Sequence, residues 1–128
     1  MRILLDTHML IWLAGDMLPK AAVPYIKSEN NTLLFSPMSI WEIVIKTNPK
    51  RPDFEVDAFT LYQDLLLNGY EELVVTSRHA LKVNDLPLIH KDPFDRMLIA
   101  QAIEEDIALL TSDDTVAKYP GNIIFVKK

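Results

Sequence analysis

Short, unbroken apolar runs punctuate the chain: Ile3-Leu4-Leu5, Thr32-Leu33-Leu34-Phe35, Leu73-Val74-Val75, Ile107-Ala108-Leu109-Leu110 and Ile123-Ile124-Phe125-Val126. Apolar side chains on consecutive positions of a strand cover both of its faces, so each run suits a strand buried on both sides, the condition of a parallel sheet. Between the runs lie stretches of helical periodicity over residues 19–27, 38–47, 58–67, 78–83 and 93–105, the first started late or kinked by Pro24. Strands alternating with helices predict an α/β domain, a mainly parallel central sheet with helices on both faces. At 128 residues the chain reads as a single domain, 1–128. A turn-rich connection, Thr47-Asn48-Pro49-Lys50-Arg51-Pro52-Asp53, interrupts it.

No run approaches the length of a membrane span, and Asp6 falls too early for a signal-peptide core. The chain has no cysteine, which excludes disulfide scaffolds and thiolate zinc sites and fits a reducing, cytoplasmic compartment. Its net charge of −5 argues against a polyanionic partner unless acids gather around cations that invert the local field. The position of the acids is therefore the informative feature.

In parallel α/β sheets, ligands bind beyond the carboxyl ends of the strands. Asp6 follows the first run directly; it is equally a helix N-cap before Thr7-His8-Met9-Leu10. A phosphotransfer nucleophile of the haloacid-dehalogenase pattern needs a second Asp at position 8, where this chain has His8. Asp95 falls in the middle of the apolar arc made by Leu98, Ile99, Ala102 and Ile103, so its carboxylate points at the sheet and needs a partner, a proton or a metal. Asp92, before Pro93, is the better N-cap. Glu42 shares a narrow polar stripe with Ser39 and Lys46, and on spacing alone reads as a surface ion pair with Lys46. Asp113 and Asp114 follow the fourth run; one acid suffices to cap a short helix ending near Tyr119, and two are present. Parity with Thr111 turns Asp113 toward the strand end and Asp114 outward. A few carboxylates with waters suit Mg²⁺, which can deliver hydroxide to a phosphodiester and neutralise developing charge. His8, His79 and His90 are scattered, with no zinc spacing, and no Walker A, GxGxxG or GxSxG motif is present.

The segments Leu4-Leu5-Asp6-Thr7-His8, Ser39-Ile40-Trp41-Glu42-Ile43-Val44-Ile45-Lys46, Asp92-Pro93-Phe94-Asp95-Arg96 with Leu98-Ile99-Ala100-Gln101-Ala102, and Leu110-Thr111-Ser112-Asp113 together resemble the PIN-domain ribonucleases, most closely the VapC-type toxins of bacterial toxin–antitoxin systems. The resemblance runs from Met1 to about Tyr119. It implies a Rossmann-like fold and places metal-binding, catalytic acids on Asp6, Glu42, Asp95 and Asp113, which reverses the surface reading of Glu42. It further implies Mg²⁺- or Mn²⁺-dependent cleavage of RNA to 3′-hydroxyl and 5′-phosphate ends, a homodimer, and a cognate antitoxin. The chain departs from that branch at Asn48-Pro49-Lys50-Arg51-Pro52, where a Gly-Lys/Arg-Leu-like turn is common, and at Asp114, a second acid beside the fourth. Secondary roles are expected for Thr111, Ser112 and Ser39 in orienting metal waters and for Lys46 and Arg96 in neutralising charge. Met9, Trp12 and Phe59 are expected partly at an interface. Two rival readings are a phosphatase or phosphotransfer domain acting through Asp6, and a non-cleaving module that binds RNA or protein.

Overall fold

A computed structural model describes residues 1–47 and 56–128; the turn-rich segment from Asn48, with its departure from the VapC-type pattern, lies outside the described residues. Four of the apolar runs become strands of one sheet. These are β1 (Arg2–Leu5), β2 (Thr32–Phe35), β4 (Ala108–Thr111) and β5 (Ile123–Phe125), joined by a two-residue β3 (Glu71–Glu72). Every pairing is parallel, in the order β3-β2-β1-β4-β5.

The third strand differs from expectation. The run Leu73-Val74-Val75 follows β3 instead of forming it: the Leu73 N–H still bonds Phe35 O at 2.8 Å, after which the chain turns to the Thr76 cap of the next helix. Exposed Glu71 and Glu72 form the edge, and charged side chains there discourage pairing with another chain. The buried Leu73 contributes its side chain to the core and its N–H to the last bond of the ladder.

Alternation along the strands divides the core into two layers. Ile3, Leu5, Phe35, Ala108 and Leu110 pack on one face with Met9, Leu10, Ile43, Leu61 and Leu65. Those residues belong to α1 (Thr7–Ala14), α3 (Pro37–Lys46) and α4 (Ala58–Leu67), with the short α2 (Val23–Lys27) alongside. Leu4, Leu34 and Leu109 pack on the other face with Leu98, Ile99 and Ala102 of α6 (Pro93–Glu105). Met9 is wholly buried, so the interface expected of it is instead core. Pro24 sits in the first turn of α2 and starts it late, where a missing N–H costs nothing.

Helix α5 (Ser77–Val83) is fastened to α6. His79 is wholly buried; its Nδ1 accepts from the Thr76 N–H, leaving Nε2 to meet the Glu105 carboxylate at 2.8 Å. At its far end α6 closes on Asp106, whose φ of 55° lets Ile107 N–H return to Ala102 O before β4 begins. The chain leaves β1 toward β2 on one side and re-enters beside β1 as β4 on the other. The sheet's topological switch point therefore lies between the carboxyl ends of β1 and β4.

Candidate active site

Asp6 leaves β1 at this switch point, and its backbone N–H bonds Leu110 O of β4. It is the N-cap of α1, with Oδ1 accepting from Met9 N–H at 2.9 Å, while Oδ2 accepts from the Thr111 hydroxyl. Capping does not exhaust it: the side chain is almost wholly buried, and burial pushes its carboxyl above the usual value, with the Asp113 charge adding to the shift.

Asp95 enters from the first turn of α6, where Asp92 supplies the cap by accepting from Phe94 N–H at 2.8 Å and Asp95 N–H at 3.1 Å. The division of labour read from the sequence, Asp92 for structure and Asp95 facing the sheet end, describes this geometry. Burial, then the negative charges of Asp92, Asp6 and Glu42, push the Asp95 carboxyl up to about 6, against an opposing hydrogen bond from His90. Asp6 and Glu42 thus lie near enough for their charges to act on Asp95.

Glu42 is only 3% exposed, so the solvated ion pair suggested by its spacing is not what forms. Lys46 does reach it, with Nζ 2.6 Å from Oε2, but Oε1 is buried without a partner. The polar stripe of α3 faces inward: Ser39 is buried as well and accepts from the Thr7 hydroxyl at 2.9 Å.

Asp113 completes the set. Its N–H bonds the Thr111 hydroxyl at 3.0 Å, and its Oδ1 accepts from Thr115 N–H at 2.7 Å and Val116 N–H at 3.3 Å, just ahead of the short 3₁₀ turn Val116–Lys118. Asp114, turned outward in the sequence reading, is exposed. Asp113 still faces the acids, since a carboxylate oxygen of Asp113 lies within 4.8 Å of donor atoms on both Asp95 and His90. An open depression of 210 Å³ lined by Asp6, His8, Trp12, Ser112 and Asp113 gives access to this end of the sheet. A larger cavity of 380 Å³, lined by Leu13, Ile26, Leu33, Leu61, Leu65 and Tyr70 among others, holds none of the clustered acids.

Several supporting roles differ from expectation. Ser112 donates to Val126 O at 2.6 Å, which spends its hydroxyl on the residue just after β5. Arg96 points away from the acids: its guanidinium donates to Val83 O (3.2 Å), Pro87 O (3.0 Å) and the Tyr119 hydroxyl (3.1 Å), because its place on α6 faces the incoming loop. Sequence reasoning set His90 aside with the other histidines, yet its Nε2 lies 2.9 Å from Asp95 Oδ2. The available signal was its place two residues before the N-cap of the helix that carries Asp95.

Fold and site together define a class: a parallel α/β domain whose switch point gathers carboxylates that are short of positive charge. The PIN domain family model matches residues 3–122, and the chain belongs to that family. Solved structures are similar over nearly all of it. The crystal structure of VapBC2 from Rickettsia felis bound to a promoter DNA fragment matches at a TM-score of 0.75 and 15% identity, covering 99% of this chain and 100% of that one. DNA-bound VapBC from Salmonella typhimurium matches at 0.71 and 13%, covering 98% of each. The PIN domain endonuclease Utp24 matches at 0.61 and 14%, covering 99% of this chain and 86% of that one. No curated protein matches this chain in sequence.

Proposed function

We propose that this protein is a divalent-metal-dependent endoribonuclease of the VapC type, the toxin of a toxin–antitoxin pair. The observation that carries the reading is the convergence of Asp6, Glu42, Asp95 and Asp113 on one strand end. Two of these carboxyls are driven toward their neutral form, and Glu42 Oε1 is buried without a partner. Such an arrangement is costly unless a cation joins it, and an all-oxygen donor set suits Mg²⁺ or Mn²⁺. Membership of the PIN family and likeness to an endonuclease and to VapBC complexes support the same conclusion.

In this reading Asp6, Glu42, Asp95 and Asp113 hold the ion. When bound, it supplies Lewis-acid chemistry that generates a hydroxide nucleophile from water and offsets negative charge developing on the phosphate. The chain's own part is preorganisation. Thr111 and the Met9 N–H fix Asp6, Lys46 fixes Glu42, and the Thr115 N–H fixes Asp113. Lys46, partly exposed beside Glu42, is a cation that could meet an approaching backbone phosphate.

The phosphotransfer alternative lacks the second acid that its pattern needs at position 8, where this chain carries His8. An antitoxin and a second copy of the chain are the partners this reading implies. Trp41, Val44 and Ile45 of α3 and Phe59 of α4, each half-exposed or more, supply apolar surface for one of them. The cytoplasm is the compartment that fits, and no helix among the described residues is long and apolar enough to cross a membrane.

The test is cleavage of a mixed RNA pool by the purified chain with Mg²⁺ or Mn²⁺, with EDTA, and with Asp6→Asn. Cleavage leaving 5′-phosphate ends that both EDTA and Asp6→Asn abolish is expected. EDTA-resistant cleavage, or a phosphoryl group carried on Asp6, overturns the reading.

A further inference from the structure

We propose that His90 Nε2 is itself a ligand of the divalent ion, beside Asp95 and Asp113, and that this nitrogen makes the site prefer a first-row transition ion over Mg²⁺. The inference rests on the metal-dependent reading above and adds a residue outside its four acids.

Three observations carry it. First, one donor atom each of His90, Asp95 and Asp113 lies within 4.8 Å of the others, the spacing of groups that can share one cation. The 2.9 Å between His90 Nε2 and Asp95 Oδ2 serves equally as a hydrogen bond or as two adjacent positions of an octahedral shell. Ligands at about 2.1 Å and a right angle stand about 3 Å apart, so an ion can replace the shared proton with little movement of either side chain.

Second, His90 is held where it is by a dedicated clamp. Its N–H donates to the Tyr119 hydroxyl at 2.7 Å. Its carbonyl accepts from that hydroxyl at 3.3 Å and from Arg96 Nη1 at 3.4 Å. Arg96 also ties down Val83 O and Pro87 O, the backbone on either side of the turn that leads to His90. Tyr119 is buried, so the clamp fixes the loop against both α6 and the segment after Asp113. A ligand whose backbone is fixed in advance binds without an ordering cost.

Third, the surroundings call for a cation independently of His90. Glu42 is 3% exposed and has an oxygen buried without a partner. Imidazole nitrogen favours transition ions, whereas Mg²⁺ favours oxygen alone, so one nitrogen among carboxylates changes which ion is retained.

Isothermal titration of the full chain with Mn²⁺ and with Mg²⁺ is the test, applied to the wild type, His90→Gln and Asp95→Asn. Loss of about tenfold or more in Mn²⁺ affinity for His90→Gln, with Mg²⁺ affinity within about threefold, is expected. Equal losses for both ions make His90 a brace for Asp95 and overturn the ligand assignment, as does no loss for either. Asp95→Asn must weaken both ions; unchanged binding there overturns the four-acid reading instead, so the two failures are distinct. Should His90→Gln fold poorly, electron spin echo modulation of Mn²⁺ bound to the wild type decides: coupling to ¹⁴N of imidazole is expected, and its absence overturns the proposal.

Discussion

Replacing Asp95 by asparagine should stabilise the metal-free protein, because the native fold holds that carboxyl where its charge is unwelcome. Between the ordinary 3.8 and a native value of about 6 lies about 3 kcal/mol of preference for the neutral form. The side chain is 19% exposed, so solvent screening trims the usable gain to about 1.5–2 kcal/mol. Asparagine keeps the shape, and its Oδ1 can still accept from a His90 Nε2–H. For a chain of this size the gain corresponds to a rise of about 5–8 °C in Tm.

The pH dependence has a definite sign. The native value lies above the unfolded one, so the charge penalty is complete above about pH 6. It shrinks as pH falls toward 3.8 and vanishes below that value, where the carboxyl is neutral in both states. Asparagine cannot ionise, so the advantage of Asp95→Asn follows the same curve and falls to about half by pH 5. Scanning calorimetry of both proteins in EDTA at pH 7.5 and pH 5 measures it. No gain at pH 7.5, or a gain that does not diminish at pH 5, refutes the reasoning.

Asp113→Asn should lower RNA cleavage about a hundredfold or more while still accepting from Thr115 N–H, whereas exposed Asp114→Asn should stay within about threefold; single-turnover assays separate them. Saturating Mn²⁺, at about a hundred times its Kd, should add about 2.7 kcal/mol to the wild type and little to Asp95→Asn, read as a Tm shift that EDTA reverses. Arg96→Met strips hydrogen bonds from Val83 O, Pro87 O and the Tyr119 hydroxyl and should cost about 2–3 kcal/mol in urea unfolding, a loss that a merely solvated arginine would not produce. Sedimentation of the chain alone and of Phe59→Asp should show a wild-type dimer; a monomer throughout the micromolar range removes the homodimer from the reading.

Four of the five continuous apolar runs became strands of the parallel sheet, since residues apolar on both faces of a strand suit burial between two layers of helices. Asp6 and Asp113 were legible as acids just after strands, and Asp95 as a carboxylate on an apolar helix face, since period and position are properties of the chain itself. Glu42 was not legible by those means. Its spacing to Lys46 is that of a surface pair, and only the packing of α3 on α1 and α6 buries the stripe and strands an oxygen. Resemblance supplied what periodicity could not. The tertiary structure alone decided the rest: that Asp113 accepts from Thr115 N–H, that Arg96 clamps a loop instead of meeting substrate, and that His90 stands against Asp95. Each of these depends on where separate segments meet at the switch point, between β1, which begins the sheet, and β4, which enters it about a hundred residues later. Local sequence sets propensities for an element; which unlike groups share a site is fixed only when the sheet order brings distant strand ends together.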